Sequence, residues 1–237
     1  MPFPPAERLS PRTDFPWPPS LSDAVAPSLE TTSASLPEAA VWRYPARASA
    51  TSDAAVVTDS TTATDAATAR PIVLIHGFRG DHHGLALIAH DLRRRDVWVP
   101  DLPGFGRTPP PAGGLDLHAF TAFIRALCAA CEAATGRRPL LVGHSFGSVL
   151  VAHAVAQDPA ICTAVALLSP IVQPPLEGSA RFLTQLTRLY YAAGRALPQP
   201  AGAALLAHPV IVRAMSEVMA TSRDRMTRAF IHDQHAR

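Results

Sequence analysis

The chain has 237 residues, 48% of them hydrophobic, which is enough for one sizeable domain with a real core. A formal net charge of +2 is too slight to argue for nucleic acid or an anionic membrane as a partner. Three cysteines, an odd number, speak against a secreted disulfide framework. The 21 basic residues are all Arg, with no Lys and no Asn anywhere; this reads as GC-rich coding and says little about function.

Residues 1–38 repeat Pro, Ser and Ala without periodicity, and are expected to be a disordered tail. The Phe15-Pro16-Trp17-Pro18 run leaves a docking motif for an aromatic groove as the alternative. Met1 to Ser20 has no apolar h-region of a signal peptide. The longest uncharged apolar stretch, Leu140 to Ala156, is broken by a Gly-rich turn. No membrane span is expected, and the chain reads as soluble and cytoplasmic.

Val41-Trp42-Arg43-Tyr44 alternates like a strand, and Ala54 to Val57 is a weaker candidate. Pro71 to Ile75 is wholly apolar and suits a strand buried on both faces. His76-Gly77-Phe78-Arg79-Gly80 follows it. Leu85, Ile88, Ala89 and Leu92 then recur at helical spacing, closed by Arg93, Arg94 and Arg95 at the negative end of the helix dipole. Val97-Trp98-Val99 is the next strand, and Asp101-Leu102-Pro103-Gly104-Phe105-Gly106 its exit loop. Asp116 caps a helix that Gly136 stops, with Leu115 and Phe120 at staple spacing and Leu117, Phe120, Ile124, Leu127 and Cys131 as its buried stripe.

Leu140-Leu141-Val142 runs as a strand into Gly143-His144-Ser145-Phe146-Gly147, and an apolar helical pattern follows to Ala156. Strand, sharp turn and helix around G-x-S-x-G is the context of a nucleophile elbow. The turn forces the serine into a strained conformation that lifts its hydroxyl clear of the chain. Glycines leave room where side chains would collide. The helix aims its free N–H groups at the place where an oxyanion forms.

Ala164 to Leu168 is a further strand. Alternating apolar strands and helices predict an α/β fold with a mostly parallel sheet flanked by helices. Past Pro170 the pattern turns helical. Phe182, Leu183, Leu186 and Tyr190 mark one helix, Pro209 with Ile211, Met215 and Val218 a second, and Thr221 caps a third.

His76-Gly77-Phe78, Asp101 to Gly106 and Gly143 to Gly147 stand in the order found in α/β-hydrolase fold enzymes, and the chain resembles that family over about Pro71 to Pro170. The resemblance implies that Ser145 is the nucleophile. The backbone N–H groups of Phe78 and Phe146 would be the oxyanion donors, and His76, Gly77, Gly143, His144 and Gly147 the support of the elbow and its neighbouring loop. It implies an incomplete hydrolase core over 39–172 and a helical cap segment over 173–237, closest to esterase-like and C–C-bond hydrolase-like members. The expected partner is a small-molecule substrate, with no cofactor and no metal.

Free serine needs a base, and the family order is Ser, then Asp or Glu, then His. The later carboxylates are Asp158, Glu177, Glu217, Asp224 and Asp233, and the later histidines His153, His208, His232 and His235. None follows a strand of the sheet, so the chain is expected to be a truncated hydrolase lacking its acid and base. The competing expectation makes His232 or His235 the base, oriented by Asp233 or Asp224.

Cys128-Ala129-Ala130-Cys131 lies mid-helix, so core thiols are expected rather than a redox pair. Asp81-His82-His83, near His76 and His90, suggests a metal, but adjacent histidines rarely face one ion. A loop supporting the oxyanion turn is expected instead. His232 and His235, three apart, read as a solvated helix end. Three functional classes follow: a serine hydrolase acting on an ester or similar acyl substrate, a non-catalytic fragment or pseudo-enzyme with a binding role, and, distantly, a redox thiol protein.

Overall fold

The structure is a computed structural model that describes residues 28–31, 39–46, 69–92, 94–172 and 181–219, and singly 223, 225, 228, 229, 231 and 232. The chain falls into two compact units, one holding the described residues up to Pro170 and the other those from Ile171 onward.

The first unit is built on six strands: β1 (Ser28–Thr31), β2 (Ala40–Tyr44), β3 (Ile72–Ile75), β4 (Val97–Pro100), β5 (Leu140–His144) and β6 (Ala164–Leu168). Their order in the sheet is β1-β2-β4-β3-β5-β6. β1 and β2 run antiparallel, and β4, β3, β5 and β6 run parallel. Residues Ser28–Thr31 correct the expectation of an unstructured tail over 1–38: Leu29 pairs with Trp42 and gives the outer side of β2 a ladder partner. The rest of that stretch, and the weak strand at 54–57, lie outside the described residues.

Side chains alternate across the strands as the pleat requires. Val73, Ile75 and Leu141 face one core with Phe120, Ile124, Leu127, Leu150 and Val151. Ile72, Leu74 and Val142 face the other with Leu85, Ala89, Val97 and Val99. The first core lies under α2 (Leu117–Thr135) and α3 (Phe146–Gln157), and the second under α1 (Ala86–Asp91). This three-layer order explains why β3 reads as an unbroken apolar run.

The sequence places α2 well. Asp116 accepts from the N–H of Ala119 at 2.7 Å, and Gly136 ends the helix at φ 68°. Its buried face holds Phe120, Ile124, Leu127 and Cys131 as expected, but Leu117, the first residue of the helix, is exposed. This 19-residue helix reaches membrane-spanning length and apolarity, yet it carries Arg125 and Glu132 and turns its apolar stripe into the core. The helix expected around Leu85 to Leu92 starts as a 3-10 turn, His82–Leu85, capped by Asp81, and α1 ends at Asp91. Arg95 therefore lies beyond the helix and reaches the carbonyl of Arg70 at 3.3 Å.

β3 is the switch point of the sheet. The chain leaves it for β4 on one side and returns to β5 on the other. The carboxyl ends of β3 and β5 therefore splay their exit loops apart, and such crevices are where open α/β sheets bind ligands. At the far edge, β6 leaves Val165 and Leu167 about 40% exposed, at 41% and 40%.

The second unit is helical in its described residues, with α4 (Arg181–Ala196), α5 (Gln199–Leu206) and α6 (Pro209–Met219). Pro209 opens α6, where its missing N–H costs nothing. The sequence reading missed α5, whose Pro200 and Gly202 disguise it. It forms because Gly202 meets the backbone of Gly194 where α4 and α5 cross too closely for any side chain. The Tyr190 hydroxyl secures the pair by donating to the carbonyls of Leu205 and Leu206 at 3.1 and 3.0 Å. The helix cap expected at Thr221 lies outside the described residues.

Candidate active site

Ser145 sits between β5 and α3 at φ 52°, ψ −117°. A non-glycine residue there stores strain, on the order of 1–3 kcal/mol, and keeps it only where the surroundings over-determine it. They do so here. The N–H of Ser145 donates to the carbonyl of Leu168 on β6 at 3.0 Å. Its own carbonyl accepts from both the N–H and the hydroxyl of Ser148, at 2.9 and 2.5 Å.

The two glycines of the elbow are needed for approach rather than for φ. A Cβ on Gly147 would lie 2.5 and 2.6 Å from the carbonyl oxygens of Ile75 and His76, and one on Gly143 would lie 2.5 Å from the carbonyl oxygen of Gly147. α3 thus starts directly against the end of β3, with Phe146 as its first residue. His144, half-buried beside the turn, has its pKa lowered by burial.

The facing turn, His76 to Gly80, follows β3. Gly80 closes it by donating to the carbonyl of Gly77 at 3.1 Å. A Cβ on Gly77 would lie 3.2 Å from the Cβ of Ser145, so the two turns touch at this point. His76 is fully buried. Its Nε2 accepts the N–H of Leu102 at 2.9 Å, so its proton is on Nδ1, which donates to the carbonyl of Gly77 at 2.8 Å. Burial lowers its pKa, against smaller opposing effects of the Gly77 carbonyl and Asp101. The ring is a neutral strut between the loops after β3 and β4.

Asp101 is the second strut. Its Oδ1 accepts from the N–H and Nδ1 of His82 at 2.9 and 2.8 Å, and its Oδ2 from the N–H of Arg107 at 3.0 Å and Nε1 of Trp42 at 3.4 Å. Burial pushes its pKa up, but the bonds from His82 outweigh this and the net direction is down. His82 stacks on Trp42 with ring centres 3.9 Å apart.

Asp81, His82 and His83 do come close, with possible ligand atoms within 4.8 Å of one another. Each ring nevertheless gives its Nδ1 to a carboxylate, His82 to Asp101 and His83 to Asp81 at 3.1 Å. The rings lie 3.9 Å apart, tilted by 36°, so their in-plane lone pairs run side by side rather than meeting at one ion. Burial raises the Asp81 pKa, the His83 bonds lower it more, and it settles at about 2. The cluster braces the loop behind the turn. The Cys128 and Cys131 thiols are buried in the core, and burial pushes Cys131 up to about 12 and Cys128 further.

Among the described residues, the side chains of His153, Asp158, Glu217 and His232 have partners of their own. His153 Nδ1 lies 3.0 Å from the hydroxyl of Thr121, tying α3 to α2. Asp158 caps the next turn through Ala160 and pairs with Arg125 at 3.0 Å. His208 precedes α6, its carbonyl accepting the N–H of Val212. His232 is buried in the second unit, its Nδ1 2.6 Å from the hydroxyl of Ser216 and its Nε2 3.2 Å from Glu217. That is a buried cluster rather than the solvated helix end expected for His232. Glu217 also pairs with Arg213 and Arg228. Glu177, Asp224, Asp233 and His235 lie outside the described residues.

The comparisons with known proteins agree with this architecture. The profile of the α/β hydrolase fold family matches residues 70–208, more than half of the chain, and the chain belongs to that family. Among solved structures it is similar to an esterase from Exiguobacterium antarcticum, at 11% identity and TM-score 0.53, covering 83% of this chain and 64% of that one. It is also similar to a membrane phospholipase A described as a bacterial virulence factor, at 19% identity and TM-score 0.53, covering 84% and 54%. At such identities the likeness concerns the fold alone. The chain spans less than two thirds of the length of either. No curated protein sequence matches it.

Proposed function

We propose that the protein is a serine hydrolase that opens an ester or related acyl or carbonyl bond. Ser145 is the nucleophile, and the backbone N–H groups of Phe78 and Phe146 stabilise the oxyanion. The observation that carries the reading is the strained backbone of Ser145 at the head of α3, in contact range of Gly77. Strain of this kind is retained where chemistry uses it. In the reaction the serine oxygen bonds to the carbonyl carbon and the alcohol leaves with the serine proton. Water then releases the acid and restores the serine. Placing both donors in turns held by neighbouring strands means they need no reorganisation as charge develops.

The test is labelling by a fluorophosphonate, with the adduct located by mass spectrometry. Labelling at Ser145, abolished in Ser145→Ala, is expected; labelling that survives the substitution overturns the reading. A second reading, a binding protein with little turnover, is favoured by the commitments of His153, Asp158 and His232 to other partners. The oxyanion hole alone then leaves slow hydrolysis of activated esters, on the order of 10³-fold over water. Brisk hydrolysis with a pH rise near a histidine pKa, lost in His232→Ala or His235→Ala, would instead assign the base to the terminal segment.

A further inference from the structure

Four phenylalanines converge beside Ser145 from four different parts of the chain. Phe78 follows the glycine that touches Ser145, Phe146 follows Ser145 itself, Phe105 belongs to the loop after β4, and Phe120 to α2. They pack edge to face. Phe78 meets Phe105 at 5.9 Å and Phe146 at 6.0 Å, and Phe146 meets Phe120 at 5.8 Å. Phe120 also backs Phe105 at 6.5 Å, so the buried ring of α2 supports the two partly buried ones. On this base Phe78 stands 56% exposed.

A cluster of this kind fixes its rings in place, so contact with a ligand costs little further ordering. Holding a large aromatic ring in water beside a nucleophile forgoes burial that the fold alone has not provided. The group under Phe105 is also without charge: His76 meets its ring at 5.7 Å and is the neutral strut described above. Leu115, packed over Gly104 and itself 45% exposed, adds an aliphatic edge next to Phe105.

We infer that this wall is the acyl subsite, and that the substrate is an ester whose acyl group is uncharged and apolar, either an alkyl chain of several carbons or an aromatic ring. The inference rests on the reading of Ser145 as nucleophile. Phe78 is its specificity-determining side chain, while its backbone serves the oxyanion.

The test compares chain lengths on one serine. Alkyl fluorophosphonates from methyl to octyl are reacted with the full chain, and the second-order labelling rate at Ser145 is followed by mass spectrometry. The rate should rise about fourfold per added methylene over the first few carbons. In Phe78→Ala and Phe78→Ser, changes at an exposed side chain that the fold tolerates, the increment should fall below about twofold. A rate that is flat or falls with length, at a serine that still labels, overturns the apolar subsite and leaves the hydrolase reading intact. Absence of labelling at Ser145 removes the hydrolase reading. The wall is then judged by equilibrium binding of uncleavable 4-nitrophenyl alkyl ethers, where affinity that does not grow with alkyl length, or is unchanged in Phe78→Ser, ends the proposal as well.

Discussion

The turn after β5 is held in place by side chains that are missing, and the turn after β3 by side chains that are buried and polar. At the elbow, Gly143 and Gly147 let α3 start against the carbonyls of Ile75 and His76, and Ser145 takes the strain. At the facing turn the local bond from Gly80 to Gly77 is joined by side chains that reach far along the chain. His76 reaches 26 positions along the chain to Leu102, and His82 reaches 19 to Asp101. One turn is announced by its own five residues, whose glycines make room for the neighbouring strand, and the other depends on a polar network of distant side chains. Steric specification should fail abruptly and polar specification by degrees, so the two turns can be separated by substitution.

The largest effect is expected from Gly147→Ala. Its new methyl would meet two backbone carbonyl oxygens, of Ile75 at the end of β3 and of His76 just beyond it, which have little room to give. Overpacking against backbone costs upwards of about 3 kcal/mol, so the variant should unfold at much lower denaturant, or fail to accumulate folded. A variant with unchanged unfolding midpoint would mean that α3 is free to slide and that the elbow is not sterically fixed.

Next in size is Asp101→Asn. The amide keeps the shape, but one of its two ends must present N–H groups to donors that already point there, those of Arg107 or His82. Loss of a buried acceptor with several donors costs about 2–4 kcal/mol. Helix content should remain while labelling of Ser145 slows, because the loop that carries Gly77 and Phe78 loosens. Equal loss of helix content and labelling would show a global role only.

Much of this was legible in the sequence, for reasons that differ between the two turns. The parallel strands, the elbow, the Asp116 cap and the Gly136 stop are all local: apolar runs, a capping side chain, a glycine at positive φ. The same local rules failed where the deciding partner is distant. Asp101 stands in the sequence as part of a loop motif without a task of its own, since nothing near it in the chain says that His82, Trp42 and Arg107 will all donate to it. β1 is hidden in a Pro-rich stretch because what makes it a strand is its ladder with the distant β2. α5 carries no sequence signal because Gly202 is informative only opposite Gly194. The phenylalanine wall gave no periodic signal at all, its members coming from four separate segments.

Acid should act mainly on the polar turn, with its two buried rings, and also on the elbow through the half-buried His144, whose pKa burial lowers as well. Burial lowers the pKa of His76 and, against the pull of Asp101, of His82, both from 6.5. Below pH 6.5 the unfolded chain therefore binds protons that the folded one refuses. Stability is fully present above that value and falls as pH drops toward the depressed ones, by at most about 1.4 kcal/mol per pH unit for each histidine. Melting temperature should be level from about pH 8 to 7 and decline toward about pH 5. The decline should be shallower in His82→Gln, and a profile unchanged by that substitution would place the acid sensitivity elsewhere.

The smallest change in stability, and the finest test, is Gly77→Ala. Its methyl would lie 3.2 Å from the Cβ of Ser145 and 3.5 Å from the carbonyl of His144, contacts that a shift of a few tenths of an ångström relieves. Alanine also lowers the entropy of the unfolded chain, so the net cost should stay within about 1 kcal/mol. The shift nevertheless falls between the serine and the N–H of Phe78. If that N–H is an oxyanion donor, displacing it should slow labelling and ester turnover by roughly 10²-fold, close to the loss of a whole donor. Gly80→Ala serves as the comparison, since the nearest atoms to its methyl would be the carbonyl oxygen of Gly77 at 3.2 Å and Nδ1 of His76 at 3.5 Å rather than Ser145. A large loss in Gly77→Ala with a small one in Gly80→Ala would show that the two turns act as one site where Gly77 meets Ser145. Equal, slight losses in both would mean that the facing turn only covers the elbow and that Ser145 takes its stabilisation from α3 alone.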